Sequence, residues 1–133
     1  MPLPQPRPGS VWGLVGRLGG PDRLREILTV FYDRLAVDPI VGFFFAGKKL
    51  PNVVDGQHRF LMRAFQETER FDGIHPSKAH VDLAPILRGH FDRRLLVLRE
   101  VLSEEGVDPE DVEAWIKVEE GMRRLVQRGS HPS

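Results

Sequence analysis

Three polar side chains stand where a helical protein would be expected to place apolar ones. Tyr32 follows Phe31 one turn past Leu28, and Gln57 falls one turn after Val53 and one turn before Leu61. His80, between Ala79 and Val81, sits in a stretch rich in helix breakers. A phenol and a carboxamide are hydrogen-bond donors, and an imidazole is a metal ligand or proton carrier. Burying an amide without a partner costs roughly 1–3 kcal/mol, so Gln57 needs a hydrogen-bonding reason to be there. Two readings are open. Either Tyr32 and Gln57 bond each other or a backbone carbonyl, or they face a polar guest in the core.

Of the five histidines, His80 is the one in a locally apolar setting. His58 is rotated by about 100° from Gln57, toward the edge of the helix. His75 lies in a Pro/Gly-containing loop, His90 beside Phe91 at a helix start suits partial burial, and His131 is in the tail. No histidine or carboxylate spacing matches a tetrahedral zinc site, and HExxH, Walker and GxGxxG patterns are absent. The absence of cysteine removes disulfides, thiolate nucleophiles and thiolate ligands, so redox chemistry would require a cofactor, and a reducing compartment fits. One imidazole is too few for zinc. It suffices for haem, where the porphyrin supplies four equatorial bonds and the protein one axial ligand.

The elements that must position these residues follow from periodicity. Leu24, Ile27, Leu28, Phe31 and Leu35 recur at helical steps, as do Val53, Val54, Phe60, Leu61, Ala64 and Phe65. A short helix is expected from Val11 to Leu18, stopped by Gly19 and Gly20; a second opens at Pro21 and reaches Ala36. Asp38 before Pro39 signals a capped short turn running into Phe43, Phe44 and Phe45. The Gln57 helix should cover Pro51 to about Thr68, with a loop from Phe71 to Val81. Pro85 then opens a helix through Leu98 and Leu102, ending near Gly106. The last helix has Asp108 as cap, Pro109 in its first turn, and Val112, Trp115 and Ile116 inward. No segment alternates like a strand. The fold class is therefore all-α, and the long stretch between Thr68 and Pro85 favours helix pairs stacked across one another over a tight bundle.

At 133 residues the chain is one domain's worth. Residues 1–10, with prolines at every even position from Pro2 to Pro8, read as a disordered lead-in; 11–128 form the domain and 129–133 a flexible tail. Nineteen basic residues balance nineteen acidic ones, which removes the electrostatic footprint of a nucleic-acid or anionic-membrane binder. Arg93–Arg94 and Arg123–Arg124 are short pairs among acidic residues and read as solvated faces. Apolar runs such as Ile40 to Ala46 fall far short of the roughly 20 residues that span a bilayer, and the start lacks a signal peptide's apolar region. A cytoplasmic location is the expectation.

The ordered set of Gly19–Gly20, Phe31–Tyr32, Phe44-Phe45-Ala46-Gly47, Gln57 and His80 resembles the truncated (two-over-two) haemoglobins, group I most of all. Phe45 follows Tyr32 by thirteen residues, Gln57 follows Phe45 by twelve, and His80 follows Gln57 by twenty-three. The similarity spans roughly Val11 to Gln127. It implies a haem b cofactor with His80 as the proximal iron ligand, Phe45 packed on the haem face, and Tyr32 and Gln57 as the distal hydrogen-bonding pair. Phe31, Val53, Val54, Phe60, Leu61 and Phe91 would wall the pocket, and Lys48, Lys49, Arg63 and Lys78 are candidates for the propionates. The iron would be five-coordinate or water-ligated. The implied function is reversible binding of oxygen, nitric oxide and carbon monoxide, as in an oxygen carrier. The enzymatic alternative is nitric oxide dioxygenation with an external reductase, or a weak peroxidase activity. Gln66 and Glu67 stand where the family commonly has a second glycine pair, and Leu61 where some members carry an aromatic gate. A cofactor-free helical interaction module is the rival reading; it accounts for the amphipathic helices but not for Tyr32 and Gln57.

Overall fold

The protein folds as two stacked helix pairs. The computed structural model describes residues 9–11, 13–66 and 88–130. A short helix α1 (Leu14–Leu18) leads into α2 (Pro21–Ala36); a 3-10 turn (Gly42–Phe45) connects to α3 (Leu50–Gln66). The chain then continues with α4 (Arg88–Glu104) and α5 (Pro109–Ser130). No strand occurs among the described residues, and no helix there is long and apolar enough to cross a membrane. The expected loop from Phe71 to Val81, the segment carrying His75, Lys78 and His80, and the first eight and last three residues lie outside the described residues.

Local chemistry explains the breaks. Gly19 and Gly20 have φ of 117° and 107°, a region that side chains disfavour, and their amides turn back to the carbonyls of Gly16 and Val15 at 3.1 and 2.9 Å. Pro21 then occupies the first turn of α2, where its missing N–H leaves no bond unmade, and Asp22 sits at the positive end of the helix dipole. After α2, the Asp38 carboxylate accepts from the amides of Ile40 (2.8 Å) and Val41 (3.2 Å), which bends the chain as its position before Pro39 foretold. The following turn is 3-10 rather than α. It presses close to the end of α2: a Cβ built on Gly42 would stand 2.7 Å from the Ala36 carbonyl oxygen. That close approach leaves Phe43 53% exposed but turns Phe44 and Phe45 toward the core.

α2 is the hub, packing on α1, α3 and α4, while α4 packs on α5. The stripe Leu24, Ile27, Leu28, Phe31 and Leu35 is fully enclosed, together with Leu61 and Phe65 of α3. Leu98, Val101 and Leu102 of α4 and Trp115 of α5 complete the core. Phe65 and Trp115 meet edge to face at 5.2 Å, tying α3 to α5. Each such aliphatic or aromatic side chain contributes about 1.5–3 kcal/mol by leaving water, which is what holds the short helices. Ion pairs sit over the seams. Arg17 of α1 reaches the buried Asp111 of α5 at 3.0 Å, and Asp111 also accepts from the Gly9 amide at 2.9 Å. Arg93 of α4 donates to Asp38 at 2.9 Å, fastening the turn after α2 to the second helix pair.

Candidate functional site

Tyr32 belongs to the core stripe of α2, beside Phe31, and only 3% of its surface is exposed. Its ring lies edge-on to Phe45 at 5.7 Å and tilted against Phe31 at 5.0 Å. The turn after α2 therefore delivers Phe45 to the same place that the helix delivers Tyr32. Gln57 reaches the core from α3, which packs along α2. Its amide nitrogen is enclosed and has no hydrogen-bond partner among the described residues. Among the described residues, that nitrogen therefore bonds neither Tyr32 nor a backbone carbonyl.

The partner of Tyr32 comes from α4. Arg94 Nη2 donates to the Tyr32 hydroxyl oxygen at 3.1 Å, and Arg94 Nε donates to Glu119 Oε2 of α5 at 3.2 Å. The other Glu119 oxygen accepts from Trp115 Nε1 at 3.3 Å. The guanidinium lies 5.0 Å from the Phe31 ring centre and 5.4 Å from that of Tyr32. In a desolvated setting each such cation–ring contact is worth up to about 2 kcal/mol. Arg94 is 16% exposed and Glu119 1%, so this pair is largely shielded from water. Arg94 is thus a correction to the sequence reading, which put the Arg93–Arg94 pair on a solvated face.

Charge states follow from these neighbours. Burial pushes the Tyr32 phenol above its ordinary pKa, Arg94 pulls it back, Glu119 adds to the rise, and the net direction is upward. The hydroxyl is therefore neutral and keeps its proton at physiological pH. Burial works against the charge on Arg94, but Glu119 and Tyr32 outweigh it and hold the guanidinium above its already high value.

The remaining sequence candidates divide. Phe31, Val54, Leu61 and Phe91 are buried, and Phe45, Val53 and Phe60 are partly buried against the same core. His90 is half-buried, as its place beside Phe91 suggested, and lies edge-on to Phe43 (5.4 Å) and Phe44 (5.3 Å). His58 contacts the Pro21 carbonyl at 2.9 Å at the helix edge. Lys48, Lys49 and Arg63 are exposed. His80 and Lys78 lie outside the described residues. Among the described residues no group of three or more histidine, cysteine or acidic side chains could hold a metal ion. A cleft of about 180 Å³ opens elsewhere, between α1 and the α4–α5 turn, lined by Arg17, Arg23, Glu105 and Asp111 among others. Arg17 there is paired with Asp111 and Arg23 with Glu105, and the Asp108 carboxylate accepts from the Glu110 amide, so it is a charged seam rather than a receptive site.

Comparison with known proteins agrees with this architecture. Residues 14–128 match the family described as Bacterial-like globin. A group 1 truncated haemoglobin of Synechocystis sp. is 34% identical over 106 residues, covering 77% of this chain and 85% of that protein. One from Chlamydomonas moewusii is 30% identical over 110 residues, 82% of this chain; the present chain spans 64% of that relative's length. Among solved structures, the 2/2 haemoglobin of Synechococcus sp. PCC 7002, in the cyanomet state with covalently attached haem, superposes with a TM-score of 0.78. It is 26% identical and the match covers 86% of this chain and 98% of that one. THB4 of Chlamydomonas reinhardtii superposes with a TM-score of 0.69 at 31% identity, covering 89% of this chain and 97% of that one.

Proposed function

Because the chain belongs to the bacterial-like globins, and among them to the group 1 truncated haemoglobins, we propose that it is a haem b protein that reversibly binds oxygen and other diatomic ligands. The observation that carries this reading is the enclosed, unpartnered Gln57 amide nitrogen, on the helix packed against the one that bears Tyr32. A folded protein rarely retains such a group unless a guest completes it. The donor set fits the cofactor: neutral, hydrogen-bonding side chains in an aromatic and aliphatic enclosure, with no competing metal-ligand cluster among the described residues.

In this reading His80 would hold the iron through its imidazole, Phe45 would pack against the haem, and Phe31, Val53, Val54, Phe60, Leu61 and Phe91 would exclude water. Lys48, Lys49, Arg63 and Lys78 are the candidate cations for the propionates. When bound, the haem would supply the chemistry of reversible diatomic-ligand binding. Tyr32 and Gln57 then do what makes the pocket selective. Each offers an N–H or O–H to a ligand that gains negative charge on binding, worth about 1–2 kcal/mol per donor, or on the order of tenfold in affinity. Carbon monoxide, less polar when bound, gains less from the same donors.

Titration of the purified apo-protein with hemin tests the reading. A stoichiometric Soret band with a raised melting temperature is expected, since a cofactor that binds only the folded state stabilises it. No band and an unchanged melt would return the chain to the class of cofactor-free helical modules.

A further inference from the structure

The pocket contains a charged pair that ligand binding by Tyr32 and Gln57 does not by itself require. Arg94 is the only described cation bonded to the Tyr32 hydroxyl, and it is clamped from behind by Glu119, which is in turn held by the Trp115 indole. Arginine has donors and no acceptor. In the 3.1 Å contact the guanidinium must therefore donate and the Tyr32 oxygen must accept. The bond occupies a lone pair of the phenol and leaves its proton for another acceptor.

We propose that Arg94, fixed by Glu119, is a positioning residue that commits Tyr32 to donating its O–H to the ligand in the haem pocket, and so sets the preference for oxygen over carbon monoxide. The inference rests on the haem-pocket reading and deepens it. A phenol beside a polar ligand and a neutral acceptor can rotate between donating and accepting. Beside a guanidinium it has one useful orientation. Donation into the phenol oxygen also polarises the O–H bond, which strengthens the bond it makes in turn. Glu119 is as necessary as Arg94. Its carboxylate, 1% exposed, cancels most of the guanidinium charge, so the pocket carries a dipole with its positive end at Tyr32 instead of an unpaired buried cation. The fixed fork of the guanidinium suits it to both contacts, since it bonds Tyr32 through Nη2 and Glu119 through Nε.

The test uses the haem-loaded protein with Arg94→Met, which keeps much of the packing over Phe31 and Tyr32 but cannot donate, together with Arg94→Lys, Tyr32→Phe and the double variant Tyr32→Phe/Arg94→Met. Soret absorption and melting are recorded first. Oxygen dissociation is then timed by stopped flow, and the C–O stretching frequency of the carbon monoxide complex is read by infrared spectroscopy. Arg94→Met should release oxygen about three- to tenfold faster, with a smaller change for carbon monoxide. Its C–O stretch should move toward that of Tyr32→Phe, and Arg94→Lys should recover part of both effects. Adding Arg94→Met to Tyr32→Phe should change neither, because the arginine acts through the phenol. A normal Soret band with wild-type oxygen release and C–O stretch in Arg94→Met would overturn the proposal while leaving the haem reading intact. So would an equal effect of Arg94→Met with and without Tyr32, which marks a structural role. Failure of the wild-type protein to take up hemin would overturn the haem reading and this proposal with it.

Discussion

Replacing Gln57 by methionine should make the cofactor-free protein more stable and the oxygen complex weaker. The side chain keeps its length, and the two residues have similar helix propensities, so α3 itself is little affected. What changes is the enclosed nitrogen that has no partner. An unsatisfied buried donor costs about 1–3 kcal/mol; because Gln57 as a whole is only half-buried, the lower end applies, about 1 kcal/mol. For a chain of this size that raises the melting temperature by about 4 °C. In the haem-loaded protein the same substitution removes a donor worth about 1–2 kcal/mol, so oxygen should dissociate roughly five- to thirtyfold faster. Calorimetry of the apo-protein and stopped-flow oxygen release measure the two halves independently. A less stable apo-protein would show that the nitrogen is satisfied by structure, and unchanged oxygen release would show that it never faces the ligand. Either result would contradict an unpartnered amide facing the ligand.

Gly42→Ala should destabilise the protein by about 1–3 kcal/mol, because the new Cβ would stand 2.7 Å from the Ala36 carbonyl oxygen and force the turn bearing Phe45 away from Tyr32; an unchanged thermal melt would show that the turn yields freely. Asp38 has its pKa held below the usual carboxylate range, first by its hydrogen bond from Arg93. Its contribution is thus present above the ordinary aspartate value, about 4, and lost as pH falls through the depressed one, so the melting-temperature gap between wild type and Asp38→Asn should close in acid. Tyr32, raised by burial, has the opposite sign. The fold favours the protonated phenol, and the stability this contributes is intact below the ordinary value of about 10 and declines as pH rises toward the folded-state value. The chain has one tyrosine, so the tyrosinate absorbance band reads this group alone; ionisation at or below the free-tyrosine value in the folded protein would contradict its burial.

Much of this was legible in the sequence because it was written in local chemistry. The Gly19-Gly20-Pro21 punctuation located the start of α2 and its apolar stripe ran to Ala36, while Asp38 and Asp108 announced turns that their carboxylates do make, with Asp108 accepting from Glu110 at 2.9 Å. The first helix starts three residues later than expected, at Leu14, because a turn closed by the Leu14 amide on the Val11 carbonyl precedes it. The four-residue turn bearing Phe45 is 3-10, a distinction that residue types do not carry. Arg94 was misread for a physical reason. An adjacent arginine pair among acids resembles a solvated face, and Arg93 is indeed at the surface end of an ion pair with Asp38. Yet Arg94 stands three residues after Phe91 and four before Leu98, on the buried stripe of α4, and Glu119 stands three after Ile116 and four after Trp115 on that of α5. The spacing that singled out Gln57 was present for both. What the sequence could not show is that the two charges meet each other and Tyr32, since that depends on how α2, α4 and α5 cross.

Absorption spectra of the purified protein in its ferric, dithionite-reduced and carbon monoxide forms, with His80→Ala beside the wild type, would reveal whether the core holds haem through His80. A Soret band that shifts on reduction and on carbon monoxide addition, with the ferrous signature altered or lost in His80→Ala, is the predicted result. A band that is absent after hemin addition, or identical in the two proteins, would contradict a haem pocket built on His80.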